Sequence, residues 1–168
     1  MSTCNHDPFG NRKLLVNAGL DPFELAFLQI SRYFFASFSD PERRHWSTAF
    51  TLAKRAWGPF HGPALATGIV EVLDAMRMTR RETFMFSNPV CPNCSSKISG
   101  HERNLMTCVM AARRGNRTKL NAGALMLFNG QEPQVFIAVL DAFIAGFGLG
   151  VLDLACEGFA SSGEPRKR

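Results

Sequence analysis

The chain has 168 residues, 46% of them apolar, and a formal net charge of +5, enough for one sizeable core but leaving two independent domains small. Fifteen Phe against one Tyr and two Trp put the aromatic mass in side chains without a polar handle, which favours packing over a carbohydrate or base-stacking surface. Five Cys, an odd number without framework spacing, argue against a disulfide scaffold, and Cys4, His6, Asp7 and Pro8 stand where a secretory signal needs an apolar run. The expected compartment is the cytoplasm.

In chain order, the residues read as a helical domain over 11–157 between flexible tails, 1–10 and 158–168; the Ser161–Pro165 run offers nothing to bury. Asp21-Pro22-Phe23-Glu24 supplies an N-cap, a first-turn Pro and an acid, and predicts a helix from Phe23 to Ser39 that is apolar nearly all round. Asp40-Pro41-Glu42 repeats the device for a second helix to about Trp57. The run Gly58-Pro59-Phe60-His61-Gly62-Pro63 breaks it, and a third helix is expected from Ala64 to about Arg80. Phe84 and Phe86 alternate ahead of Asn88-Pro89, which predicts an extended arm. Ser99-Gly100-His101-Glu102 matches a capping box and opens a fourth helix to about Arg114. A fifth covers roughly Thr118 to Phe128, and a sixth begins near Glu132-Pro133. The fold class is therefore all-α, a single-domain bundle of about six helices with an extended arm and a C-x-x-C knuckle between the third and fourth.

Val135 to Cys156 is the longest apolar stretch, but Asp141 and Asp153 leave eleven uncharged residues between them where about 20 are needed to span a bilayer. It reads as a buried helix. Gly146, Gly148 and Gly150 alternate within it and imply a bend or a close backbone approach, and its apolar excess suggests a homodimer through Val135 to Leu154.

Charge is unevenly placed. Met1 to Met76 is neutral, Arg77 to Lys119 carries +7, and Leu120 to Glu157 carries −4. Arg dominates the basic middle, and Arg suits two-pronged recognition of carboxylate or phosphate. Arg113, Arg114, Arg117 and Lys119 are the candidate contacts for an acidic protein or nucleic acid; the alternative is that this segment faces the acidic C-terminal region of its own chain or of a second subunit.

Cys91-Pro92-Asn93-Cys94 is the one motif that carries chemistry. Two thiols at this spacing can share a zinc ion or close a reversible disulfide. Further zinc ligands would come from His101, Cys108, Cys4, His6, His45, His61, Cys156 or a second subunit. Seven residues on one helix separate His101 from Cys108 by about 10 Å, so both can hardly reach one ion; His101 is the nearer candidate, and Cys108 fits a small buried apolar position. The Cys-Pro-x-Cys spacing resembles that of glutaredoxin-like active sites over four residues only, and the strands such a site requires are missing. No P-loop, G-x-S-x-G, H-E-x-x-H or G-x-G-x-x-G is present, and the turn between the second and third helices is too long and proline-rich for a helix-turn-helix. The expectation is a non-enzymatic, zinc-stabilised regulatory or adaptor protein with Cys91, Cys94 and His101 on the metal. A small thiol-redox or sensor protein and a homo-oligomeric interaction module are the alternatives.

Overall fold

The computed structural model describes residues 13–153, and it is a mainly helical bundle with a single two-stranded sheet among them. The tail readings and Cys4, His6 and Cys156 lie outside the described residues. Helix α1, Pro22–Ser39, starts on a complete capping box: Asp21 Oδ1 accepts from the Glu24 N–H at 2.8 Å, and the Asp21 N–H donates back to Glu24 Oε2 at 3.0 Å. Two orphan backbone donors are thereby satisfied, and α1 is placed in the middle of the core with Ala26, Phe27, Leu28 and Ile30 fully buried.

A 3₁₀ turn, Pro41–Arg43, and Arg44 in the left-handed region (φ 50°) intervene before α2, His45–Thr79. The second helix thus starts a few residues later than the Asp-Pro-Glu signal suggests. The second and third expected helices are two arms of α2, bent at Gly58, whose φ of 77° and ψ of 171° suit glycine alone. Pro59 opens the second arm, where its missing N–H costs nothing, so that arm begins before Ala64. At the corner the two arms come so close that a Cβ on Gly62 would lie 2.6 Å from the Ala53 backbone.

The arm follows, then the four-residue α3, Pro92–Ser95, and α4, Gly100–Arg113; α5 spans Arg117–Leu127. A short antiparallel pair, β1 (Lys13–Leu14) with β2 (Lys97–Ile98), sets Lys13 beside Ile98 and ties the start of the described chain to the segment after Cys94. Helix α6, Gln134–Asp153, lays Phe136, Leu140 and Phe143 into the core, with Phe143 edge-on to Phe27 at 5.9 Å. It bends at Gly148 (φ 62°). The close approach suggested by its glycines occurs instead on α2, where a Cβ on Gly68 would sit 2.5 Å from the Phe143 ring. Much of the apolar excess of this segment is therefore taken up within the chain. No helix among the described residues is long and apolar enough to cross a membrane.

Gly68→Ala should cost about 1–3 kcal/mol in urea unfolding, because the Phe143 ring must leave its place against Phe27. Gly146→Ala, which meets open space within α6, should not destabilise and should add up to about 1 kcal/mol through helix propensity.

Candidate functional site

The arm and the C-x-x-C turn are organised by one buried ion pair. Arg32 of α1 and Glu102 of α4 are both fully buried, with Arg32 Nε donating to Glu102 Oε1 at 2.7 Å and Nη2 to Oε2 at 3.3 Å. The remaining guanidinium capacity goes to backbone around the turn: Nη1 to the Ser95 carbonyl at 2.8 Å and Nη2 to the Lys97 carbonyl at 2.6 Å. Glu102 in turn accepts from the Ser87 N–H at 3.0 Å and the Ser99 N–H at 2.7 Å, the latter completing the capping box that starts α4. A planar donor fork and a carboxylate with several acceptor sites thus hold four chain segments in one place.

The arm alternates as its phenylalanines suggest. Phe84 stacks on Phe35 at 4.5 Å and Phe86 lies against the same ring at 5.5 Å, while Met85 and Ser87 turn their backbones to α4. The Ser99 hydroxyl donates to the Met85 carbonyl at 2.7 Å, and the Met85 N–H donates to His101 Nδ1 at 2.8 Å. His101 Nδ1 must therefore be the unprotonated nitrogen, and Nε2 faces Arg80 Nη2 at 3.3 Å. Burial, followed by the Arg80 cation, lowers the His101 pKa below its ordinary 6.5, with Glu82 and Glu102 opposing. Arg80 is itself buried at its side chain, and it donates to the carbonyls of Leu127 and Glu82. Beside it the arm, α1 and α2 enclose a cleft of about 290 Å³ lined by Phe35, Phe38, Phe84, Arg77 and Arg80, where Arg77 covers the Phe38 ring at 3.9 Å.

Cys91 is half-buried and Cys94 buried, and neither forms a disulfide. Cys91 caps α3: its carbonyl accepts from the N–H groups of Cys94 at 3.0 Å and Ser95 at 2.8 Å, which makes the turn between the two thiols tight. His101 is engaged with the arm, and no three His, Cys, Asp or Glu side chains gather into a metal-holding group among the described residues. Cys108 is fully buried in the core, with its thiol pKa pushed up to about 12 by burial. That makes it an inert packing residue.

The four basic residues singled out for an acidic partner separate into different roles. Arg113 has a side chain about nine-tenths buried, bonds Asp21 at 2.6 Å and Glu24 at 3.2 Å, and covers the Phe23 ring at 4.5 Å. Arg114 reaches Glu24 at 3.2 Å and Arg117 reaches Asp141 at 2.6 Å, both from exposed positions. Lys119 is exposed on α5 with its N–H capped by Asn116. Of these four, only Arg117 faces the acidic C-terminal region of its own chain among the described residues; Arg113 and Arg114 face the start of α1. Sequence reasoning missed Arg32, although an arginine among Ile30, Tyr33, Phe34 and Phe35 is a signal of a buried partner.

No family model, no curated protein and no solved structure matches this chain.

Arg32→Met should destabilise the protein by about 3–5 kcal/mol, since it leaves Glu102 as an uncompensated buried charge and strips the Ser95 and Lys97 carbonyls of their donor. A folded-state His101 pKa below the unfolded value means the unfolded chain binds the extra proton first. Stability should thus be complete above pH 6.5 and fall as pH drops through the folded value. Chemical denaturation across that range should show the slope, and His101→Gln should reduce it.

Proposed function

We propose that this protein is a non-enzymatic regulatory or adaptor module in which the Cys91–Cys94 turn holds a zinc ion and the adjoining basic surface receives an acidic protein. The observation that supports the metal reading is the β1–β2 pairing, which fixes Lys13 beside Ile98, just past Cys94. Cys4 and His6 precede Lys13 by nine and seven residues, at most about 30 and 23 Å of extended chain, so sequence separation allows both to reach the turn. Two thiolates from the turn with a thiolate and an imidazole from the N-terminal segment would complete a tetrahedral set. This ligand set is favoured over one with His101, whose Nδ1 already accepts from Met85 and whose Nε2 faces a guanidinium.

Arg114, Arg117 and Lys119 form the partner surface in this reading. Arg114 and Arg117 already pair with carboxylates from exposed positions, so a partner's Asp or Glu side chains would exchange for groups of the same chemistry.

Metal analysis of the purified protein tests the centre. Zinc should be bound by the native chain and by His101→Gln, and lost in Cys91→Ser, Cys94→Ser and the Cys4→Ser/His6→Ala pair, with chelation lowering the melting temperature. A zinc-free protein whose Cys91 and Cys94 cycle between dithiol and disulfide would replace this reading with a thiol-redox one. For the surface, Arg114→Gln/Arg117→Gln/Lys119→Gln should weaken binding of a glutamate-rich peptide and flatten its salt dependence. Preference for a single-stranded oligonucleotide over the peptide would reassign the partner.

A further inference from the structure

The segment Lys13–Leu20, strand β2 and helices α4 and α5 enclose a second cavity of about 270 Å³. Its charge is one-sided. Lys13, Arg103 and Lys119 line it, and no Asp or Glu among the described residues does. The neighbouring acids are committed elsewhere: Glu102 to Arg32, Asp21 and Glu24 to Arg113 and Arg114.

Arg103 is the informative residue. Its Nε is buried without a hydrogen-bond partner among the described residues, as is that of Arg113, but the Arg113 guanidinium is ion-paired while that of Arg103 makes no ion pair with a described residue. A buried donor of a charged group left unmade is costly, and such exceptions call for an explanation. Lys13 and Lys119 likewise pair with no described acid, so three basic side chains line one cavity without a described counter-charge. The other wall is apolar, with Leu20, Met106 and Met110.

We propose that this cavity binds a small phosphomonoester with an apolar body, the phosphate seated between Arg103, Lys13 and Lys119 and the body against Leu20, Met106 and Met110. A phosphate dianion presents several acceptor oxygens to a guanidinium fork and two ammonium groups, which fits this constellation better than a single carboxylate. Methionine side chains adapt to an apolar body of varied shape. The volume sets the scale, close to the lower end of the range of about 300–1,000 Å³ for small-molecule sites. The site goes beyond the zinc and adaptor reading and does not rest on it.

Calorimetric titration of the full chain with hexyl phosphate, inorganic phosphate and hexanol tests the assignment. Hexyl phosphate should bind about tenfold or more tightly than either fragment, because only it engages both walls. Arg103→Gln should weaken it by about tenfold or more and Lys119→Gln by a smaller factor, whereas Lys54→Gln on α2 should leave it unchanged. Lys119 is exposed, so its variant keeps the test informative if Arg103→Gln misfolds. Equal affinity for hexyl phosphate in the Lys119 variant, or no heat with hexyl phosphate at millimolar concentration, would overturn the proposal. Binding to phosphatidic acid vesicles or to an oligonucleotide without binding to hexyl phosphate would also overturn it, in favour of a surface that reads a membrane or a nucleic acid.

Discussion

Arg32 and Glu102 are 70 residues apart in sequence, and nearly everything distinctive about this structure passes through their contact. Burying two charges carries a desolvation penalty of several kcal/mol per ion, and the Coulombic attraction offsets it only when the remaining donors and acceptors are satisfied. Here they are, by four backbone groups: the carbonyls of Ser95 and of Lys97 at the start of β2, and two N–H groups from the arm and the α4 cap. A pair of leucines could fill the same volume, but they would leave all four backbone groups without partners. The charges set the position of the arm and the cysteine turn relative to α1, which apolar packing alone fixes poorly.

The helical frame was legible because its signals are local. Asp21 and Glu24, then Ser99 and Glu102, announce capping boxes three residues apart, and both form. Phe84 and Phe86 announce an extended arm, and both lie on Phe35. Gly58 with Pro59 announces a break, and the backbone reverses its φ there. The boundaries that moved, at His45 and at Pro59, moved because Arg44 adopts a left-handed conformation and because proline is tolerated in a first helical turn.

What stayed hidden depends on contacts distant in sequence. Glu102 could be read as a cap, not as the partner of Arg32. Arg113 looked like surface charge, whereas the α1 cap draws it inward to Asp21, Glu24 and the face of Phe23. A two-residue strand pair such as β1–β2 has too few residues for any periodicity to register. At the candidate site the sequence identified the thiols, while the orientation of His101 follows from the Met85 N–H, a backbone group that no residue pattern encodes.

The ion pair also constrains the order in which the chain can be built. As synthesis proceeds from the N-terminus, α1 emerges with a guanidinium among its most apolar residues, and its carboxylate partner is added 70 residues later. Until then Arg32 keeps its hydration, and the face of α1 that meets α4 and the cysteine turn cannot close dry. Closing so long a loop before the contact can form places the arm, the cysteine turn and the start of α4 late in folding, after the local α1–α2 and α4–α5 pairs. That region is thus assembled by a contact between segments far apart in the chain, as α6 is when Phe143 reaches Phe27.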